Sequence, residues 1–173
     1  TYAVDQNACT SPHLIVWMGK KQKELENKFW KKLYEFVLAR YNFQAISPIE
    51  KFTDTCKFII SSSNIKSIKN FENYIHKIEL KKLEVNNHLM RGKWGLFFEF
   101  YSKNLNNLKN IINNKYQTLT YYGISKEELK KFLVKNRLKG IDRVVPVGQS
   151  LNISLNWDGY NVINSLTRTI EVK

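Results

Sequence analysis

The 173 residues suffice for one ordinary domain with a hydrophobic core and fall short of two comfortable ones. Hydrophobic residues make up 43% and charged residues 25%, with only 7 Gly and 3 Pro, a folded globular profile that excludes a disordered chain. Lys and Arg total 28 against 15 Asp and Glu, and the resulting +13 suits nucleic acid, anionic lipid or a phosphate-rich cofactor. The excess is nearly all Lys, lies scattered and accompanies abundant Asn, so a compositional bias is the preferred explanation.

The first element in chain order is the apolar run Leu14 to Met18, closed by Gly19, which predicts a central strand buried on both faces. From Lys21 to Tyr41, Leu25, Phe29, Leu33, Phe36 and Val37 recur at helical spacing, predicting an amphipathic helix. Ser47, Pro48 and Glu50 form a capping pattern that opens a helix to about Ile60, with Ile49, Phe52, Cys56 and Ile59 as its expected buried stripe. Residues 65–74 are ambiguous. Ile75 to Leu83 alternates as a strand, Gly95 to Tyr101 is a second apolar run, and Leu105 to Ile112 suits a short helix. Gln117 to Tyr122 predicts a strand, Ser125 with Glu128 caps a helix to about Leu138, and Val144 to Val147 is a last strand. Alternation of this kind predicts an α/β layered domain with a largely parallel sheet over 1–149, followed by an extended tail over 150–173 that suits pairing with another chain or domain.

Neither Cys9 nor Cys56 has a CxxC partner or a His at ligand spacing, so no disulfide framework and no metal site is expected. No basic-then-apolar leader and no run of 18 apolar residues occurs, and the expectation is a cytoplasmic chain without a membrane span. Sequence of functional character already stands at residue 5 behind a non-Met start, so the chain is expected to be part of a longer protein.

Cys9 lies in DQNACTSP, a polar turn directly ahead of a core strand, where backbone N–H groups can support a thiolate. The bland alternative is a small buried hydrophobe. Cys56 falls on a helix stripe and is read as core. His13 is a candidate base or hydrogen-bond partner for Cys9, whereas His76 and His88 are read as surface or packing residues. Trp157, Asp158 and Gly159 are read as a turn, with Asp158 held as a supporting candidate. No GxGxxG or P-loop occurs.

Three segments, DQNACTSPHLIVW at 5–17, QTLTYYGI at 117–124 and DRVVPVGQSLNISLNWDGYN at 142–161, together resemble the luminescence-type (Lux) fatty acyl-CoA reductases of the aldehyde dehydrogenase superfamily. The likeness spans the chain in order but only the carboxyl-terminal part of that family's length. It implies a three-layer catalytic domain of the aldehyde dehydrogenase type, with Cys9 as the thiol that receives the acyl group. NADPH would be bound mainly by a domain outside this chain, with its contact residues unassigned. Implied partners are an acyl-CoA or other acyl thioester, acyl-transferase or synthetase subunits, and further copies of the chain. One departure from the common aldehyde dehydrogenases is that their Gln stands two residues before the Cys, whereas Gln6 stands three before Cys9. The competing expectations are a basic nucleic-acid or anionic-surface module and a Cys and His hydrolase.

Overall fold

Strand β1 (Leu14–Met18) forms at the expected apolar run, but it lies at the edge of a four-stranded sheet rather than at its centre. Its neighbours are β4 (Leu96–Ser102), then β3 (Ile75–Leu80), then β2 (Ile65–Phe71), giving the order β1-β4-β3-β2. β1 pairs with β4 in parallel, Leu14 opposite Phe98, and β3 pairs with β4 in parallel, His76 opposite Leu96. Within this sheet only β2 and β3 run antiparallel. The computed structural model describes residues 1–173, a mixed α/β chain that divides into the units Thr1–Ile111 and Ile112–Lys173. No helix is long and apolar enough to cross a membrane.

In the first unit, helix α1 (Lys23–Arg40) covers one face of the sheet and helix α2 (Ser47–Ser61) the other. Successive side chains of a strand point to opposite faces, so Ile15, Trp17, Ile75 and Phe97 meet Trp30 and Leu33 of α1. Leu14, Ile78, Leu80, Leu96 and Phe98 form the other layer, where Phe58 of α2 stands edge-on to Phe98 with ring centroids 4.9 Å apart.

Val37 and Leu33 of α1 lie inward as expected, but most of both expected stripes does not. α1 turns Glu26, Trp30 and Val37 inward and leaves Leu25, Phe29 and Phe36 exposed. α2 turns Ser47, Lys51 and Thr55 inward, while Ile49, Phe52 and Ile59 are exposed and Cys56 is only half-buried. Ser47 is therefore a buried first-turn residue and caps nothing through its side chain. Strand β3 likewise does not alternate; all six residues, His76, Lys77 and Glu79 included, are buried.

Buried ion pairs explain why polar groups replace apolar ones on the inner faces. Lys77 Nζ bridges Glu26 at 2.6 Å and Glu99 at 3.0 Å, all three side chains being under a tenth exposed. Glu99 also accepts from the indole N–H groups of Trp17 (3.0 Å) and Trp30 (3.2 Å), and Tyr101 donates to Glu26. Nearby, Glu79 meets Lys66 at 2.6 Å and Lys21 at 3.1 Å. Burial pushes the Glu79 carboxyl up, but the hydrogen bonds from Lys66, Lys21 and Ser67 outweigh that and hold it at about 2.

The second unit is built on β5 (Thr118–Tyr121) and β6 (Arg143–Pro146), parallel neighbours joined through helix α3 (Lys126–Lys135). The cap forms as expected, Ser125 Oγ accepting from the Glu128 N–H at 3.1 Å, but the helix ends at Lys135. The buried Arg143 guanidinium donates to the carbonyls of Ser150 and Asn152, each at 3.0 Å, and lies 3.9 Å from the Trp157 ring centroid. The segment expected as an extended tail contains the short hairpin β7 (Asn156–Trp157) and β8 (Tyr160–Asn161), then helix α4 (Val162–Leu166). In the first unit, the expected helix after Leu105 is a single 3₁₀ turn, Leu105–Leu108.

Candidate functional site

Cys9 is exposed, on the turn between a 3₁₀ segment at Tyr2–Val4 and β1. The turn is closed by the Ser11 N–H bonding the Ala8 carbonyl at 2.9 Å, while the N–H groups of Cys9 and Thr10 donate to nothing within the chain.

What holds this turn is Gln6, which is 1% exposed. Its Nε2 donates to the carbonyls of Pro12 (2.9 Å) and Leu96 (3.0 Å), and its Oε1 accepts from the Gly95 N–H (2.9 Å). The Gln6 to Pro12 bond draws residues 6–12 into a closed loop with Cys9 inside it, and the other two bonds fix that loop to the start of β4. Asp5 and Gln6 both have positive φ, 51° and 62°, as do Trp94 and Gly95 opposite, 52° and 91°. For the non-glycine residues this conformation costs about 1 kcal/mol or more each, so the local contacts must over-determine it. They do: the Asp5 carbonyl accepts from the Trp94 N–H at 3.2 Å, and the Tyr41 hydroxyl donates to the Asp5 carboxylate. Gly95 must be glycine, because a Cβ there would stand 2.2 Å from the Tyr74 carbonyl oxygen.

Behind this turn pair, the Lys51 ammonium donates to the carbonyls of Asn73 and, at 2.9 Å, Trp94. It has no carboxylate partner, and burial lowers its pKa from 10.5 to about 7. His76, sharing a 3.0 Å hydrogen bond with Thr55, is drawn down to about 4 by burial first and the nearby Lys51 second. His76 is thus a buried partner of α2 rather than a surface residue, whereas the half-buried His88 bonds the Val85 carbonyl at 2.9 Å.

His13, half-buried at the entry to β1, is held neutral at pH 7, its pKa lowered to about 4 by burial and by Arg91. Gly92 backbone offsets this weakly, yet neither ring nitrogen reaches a well-aligned hydrogen-bond partner, and the buried Ser11 hydroxyl has none either. Asp158 belongs to the other unit, at the tip of the β7–β8 hairpin; with Gly159 it supplies the two positive φ values, 50° and 83°, of a two-residue turn. Its observed role is that of a turn residue.

Two further placements bear on chemistry. The Cys9 turn lies at the amino ends of the parallel strands β1 and β4, whereas open α/β sheets bind ligands beyond the carboxyl ends. A shallow open depression lined by Lys21 to Leu25 does lie past the carboxyl end of β1. The turn after β1 carries a single glycine, Gly19, and leads into Lys20 and Lys21 without a second or third, so these residues do not form a dinucleotide cradle. No group of three His, Cys, Asp or Glu side chains is arranged to hold a metal.

Reasoning from sequence noted Gln6 only for its spacing to Cys9 and missed its role as the brace. The signal was present, in an amide amid a polar turn before a strand, but an amide that satisfies three backbone groups looks no different in sequence from one in water. No protein-family model matches the chain, and no curated protein is significantly similar to it.

Proposed function

We propose that this chain is the thiol-bearing part of an NADPH-dependent acyl thioester reductase, and that its own chemical step is acyl transfer to Cys9. The observation that carries the reading is the exposed Cys9 on a braced turn whose N–H groups at Cys9 and Thr10 are uncommitted. The resemblance of three ordered segments to the Lux-type acyl-CoA reductases supports it, and the aldehyde dehydrogenase catalytic fold belongs to the same proposal.

In the transfer step the Cys9 sulfur attacks the thioester carbonyl, the new S–C bond forms as the bond to the departing thiol breaks, and the proton lost by Cys9 ends on that thiol. The exchange of one thioester for another costs little free energy. Free backbone N–H groups beside the sulfur are the donors available to the tetrahedral oxyanion, each worth roughly 3 kcal/mol in such sites. His13, neutral at pH 7, is the basic group nearest in sequence.

Incubation with octanoyl-CoA is expected to add one octanoyl mass, mapped to the Cys9 peptide and absent from Cys9→Ala. Label that persists in Cys9→Ala, or that settles on Cys56, would refute the assignment. The basic-module alternative predicts instead a steep loss of RNA retention as salt rises, with Cys9→Ala indistinguishable from the parent.

A further inference from the structure

We propose that Gln6 is a positioning residue for Cys9: its side-chain amide sets the turn that presents the sulfur, acting through the backbone and without touching the acyl group. The inference deepens the acyl-transfer reading and rests on it.

A side chain that is fully buried and makes three hydrogen bonds, all to backbone, is built to hold a shape. The three bonds divide by what they fix. Those to Gly95 and Leu96 anchor Gln6 to β4 and would serve any loop. The bond to Pro12 crosses the turn itself and fixes the span within which Cys9 sits. No other hydrogen bond joins residues 5–7 to residues 11–13, since the Ser11 to Ala8 bond lies within the loop. Without the amide donor, the carbonyl of Pro12 loses its tie, and between the flanking backbone bonds of Asp5 to Trp94 and His13 to Phe98 the turn keeps only local ones.

Misplacing a reacting group by about 1 Å costs on the order of 100-fold in rate. Gln6→Glu keeps the length and the acceptor for the Gly95 N–H but replaces the donor with an oxygen facing two carbonyls. Gln6→Gly removes the whole amide while relieving the positive φ, which guards against a variant that fails merely by misfolding.

The experiment measures, in the full chain, octanoyl transfer to Cys9 and alkylation of Cys9 by iodoacetamide, alongside the thermal midpoint. Both variants are expected to lose about 100-fold in acyl transfer, while alkylation, which needs only an accessible thiol, stays level or rises. Acyl transfer within about threefold of the parent would overturn the proposal. So would a parallel fall of transfer, alkylation and folded fraction, which is the mark of a purely structural role. Should the parent accept no acyl group, it is the acyl-transfer reading that falls. Exchange of the hydrogen-bonded Ser11 amide then decides the clamp, with exchange faster by about tenfold or more in both variants expected and unchanged exchange counting against it.

Discussion

Replacing Lys77 with Met is expected to destabilise the protein by about 3 to 5 kcal/mol, the range for breaking a buried ion pair from one side. Lys77 sits between Glu26 and Glu99, and its removal leaves two carboxylates in a region closed to water, with only neutral donors from Trp17, Trp30 and Tyr101. Most of the loss is the penalty of the orphaned charges rather than the worth of the pairs. Adding Glu26→Gln and Glu99→Gln to Lys77→Met is therefore expected to restore a large part of it, because amide oxygens still accept from the indoles and the phenol without needing a counter-charge. Urea unfolding at constant m-value measures both. A loss under about 1 kcal/mol for Lys77→Met would show that water reaches the carboxylates.

The second large effect is a rise in stability between pH 7 and pH 10 that depends on Lys51. Burial lowers the folded pKa of this amine to about 7 from 10.5, so between those values the unfolded chain binds a proton that the folded chain does not. Stability then increases with pH from 7 to 10, by up to about 4 kcal/mol at 1.36 kcal/mol per pH unit. The trend ends near pH 10, because burial raises the phenols of Tyr2 and Tyr41 above their usual value, and stability tied to a raised pKa is lost as pH climbs past the unfolded one. On the acid side, His76 and His13, both held near 4, make stability fall as pH drops below 6.5. In Lys51→Met the rise from pH 7 to pH 10 is expected to vanish, at the expense of the hydrogen bonds to Asn73 and Trp94. A slope retained in that variant, read from unfolding midpoints across the range, would place the titrating group elsewhere.

These two lysines also mark the limit of what the sequence discloses. Element positions were largely legible: β1, α1, α2, β4, β5, α3 and β6 all stand where apolar runs, capping residues and glycines predict them. The facing of the helices was not. A hydrophobic-periodicity argument assigns Leu25, Phe29, Ile49 and Phe52 to the interior, yet the rows carrying Glu26 and Lys51 are buried instead. Each of those polar side chains finds partners on β3, on β4 or in the turns beside them, distant in sequence, and single-chain patterning carries no record of such a pairing. Strand β3 forms within the expected Ile75 to Leu83, but its alternation failed for the same reason, Lys77 and Glu79 being buried ions. For the site, Cys9 was legible as an accessible thiol on a turn, while its brace was not, since Gln6 acts only through carbonyl and N–H groups contributed by Pro12, Gly95 and Leu96. Asp158 illustrates the converse: the turn read for it in sequence is the one its positive φ makes at the β7–β8 tip.

The register of β1 against β4 also constrains how the chain is made. The β2–β3 hairpin joins near neighbours and can pair as soon as it has emerged, whereas Leu14 must wait for Phe98 before its edge is satisfied. Until β4 has emerged, therefore, the apolar ribbon that follows Cys9 has no strand to pair with. The late arrival of β4 completes the sheet and, in the same event, supplies the carbonyl of Leu96 and the N–H of Gly95 on which the thiol's loop is hung. The shape of the Cys9 turn is thus coupled to closure of this sheet, so a nascent or truncated chain lacking residues 95–102 would carry a Cys9 with no defined geometry.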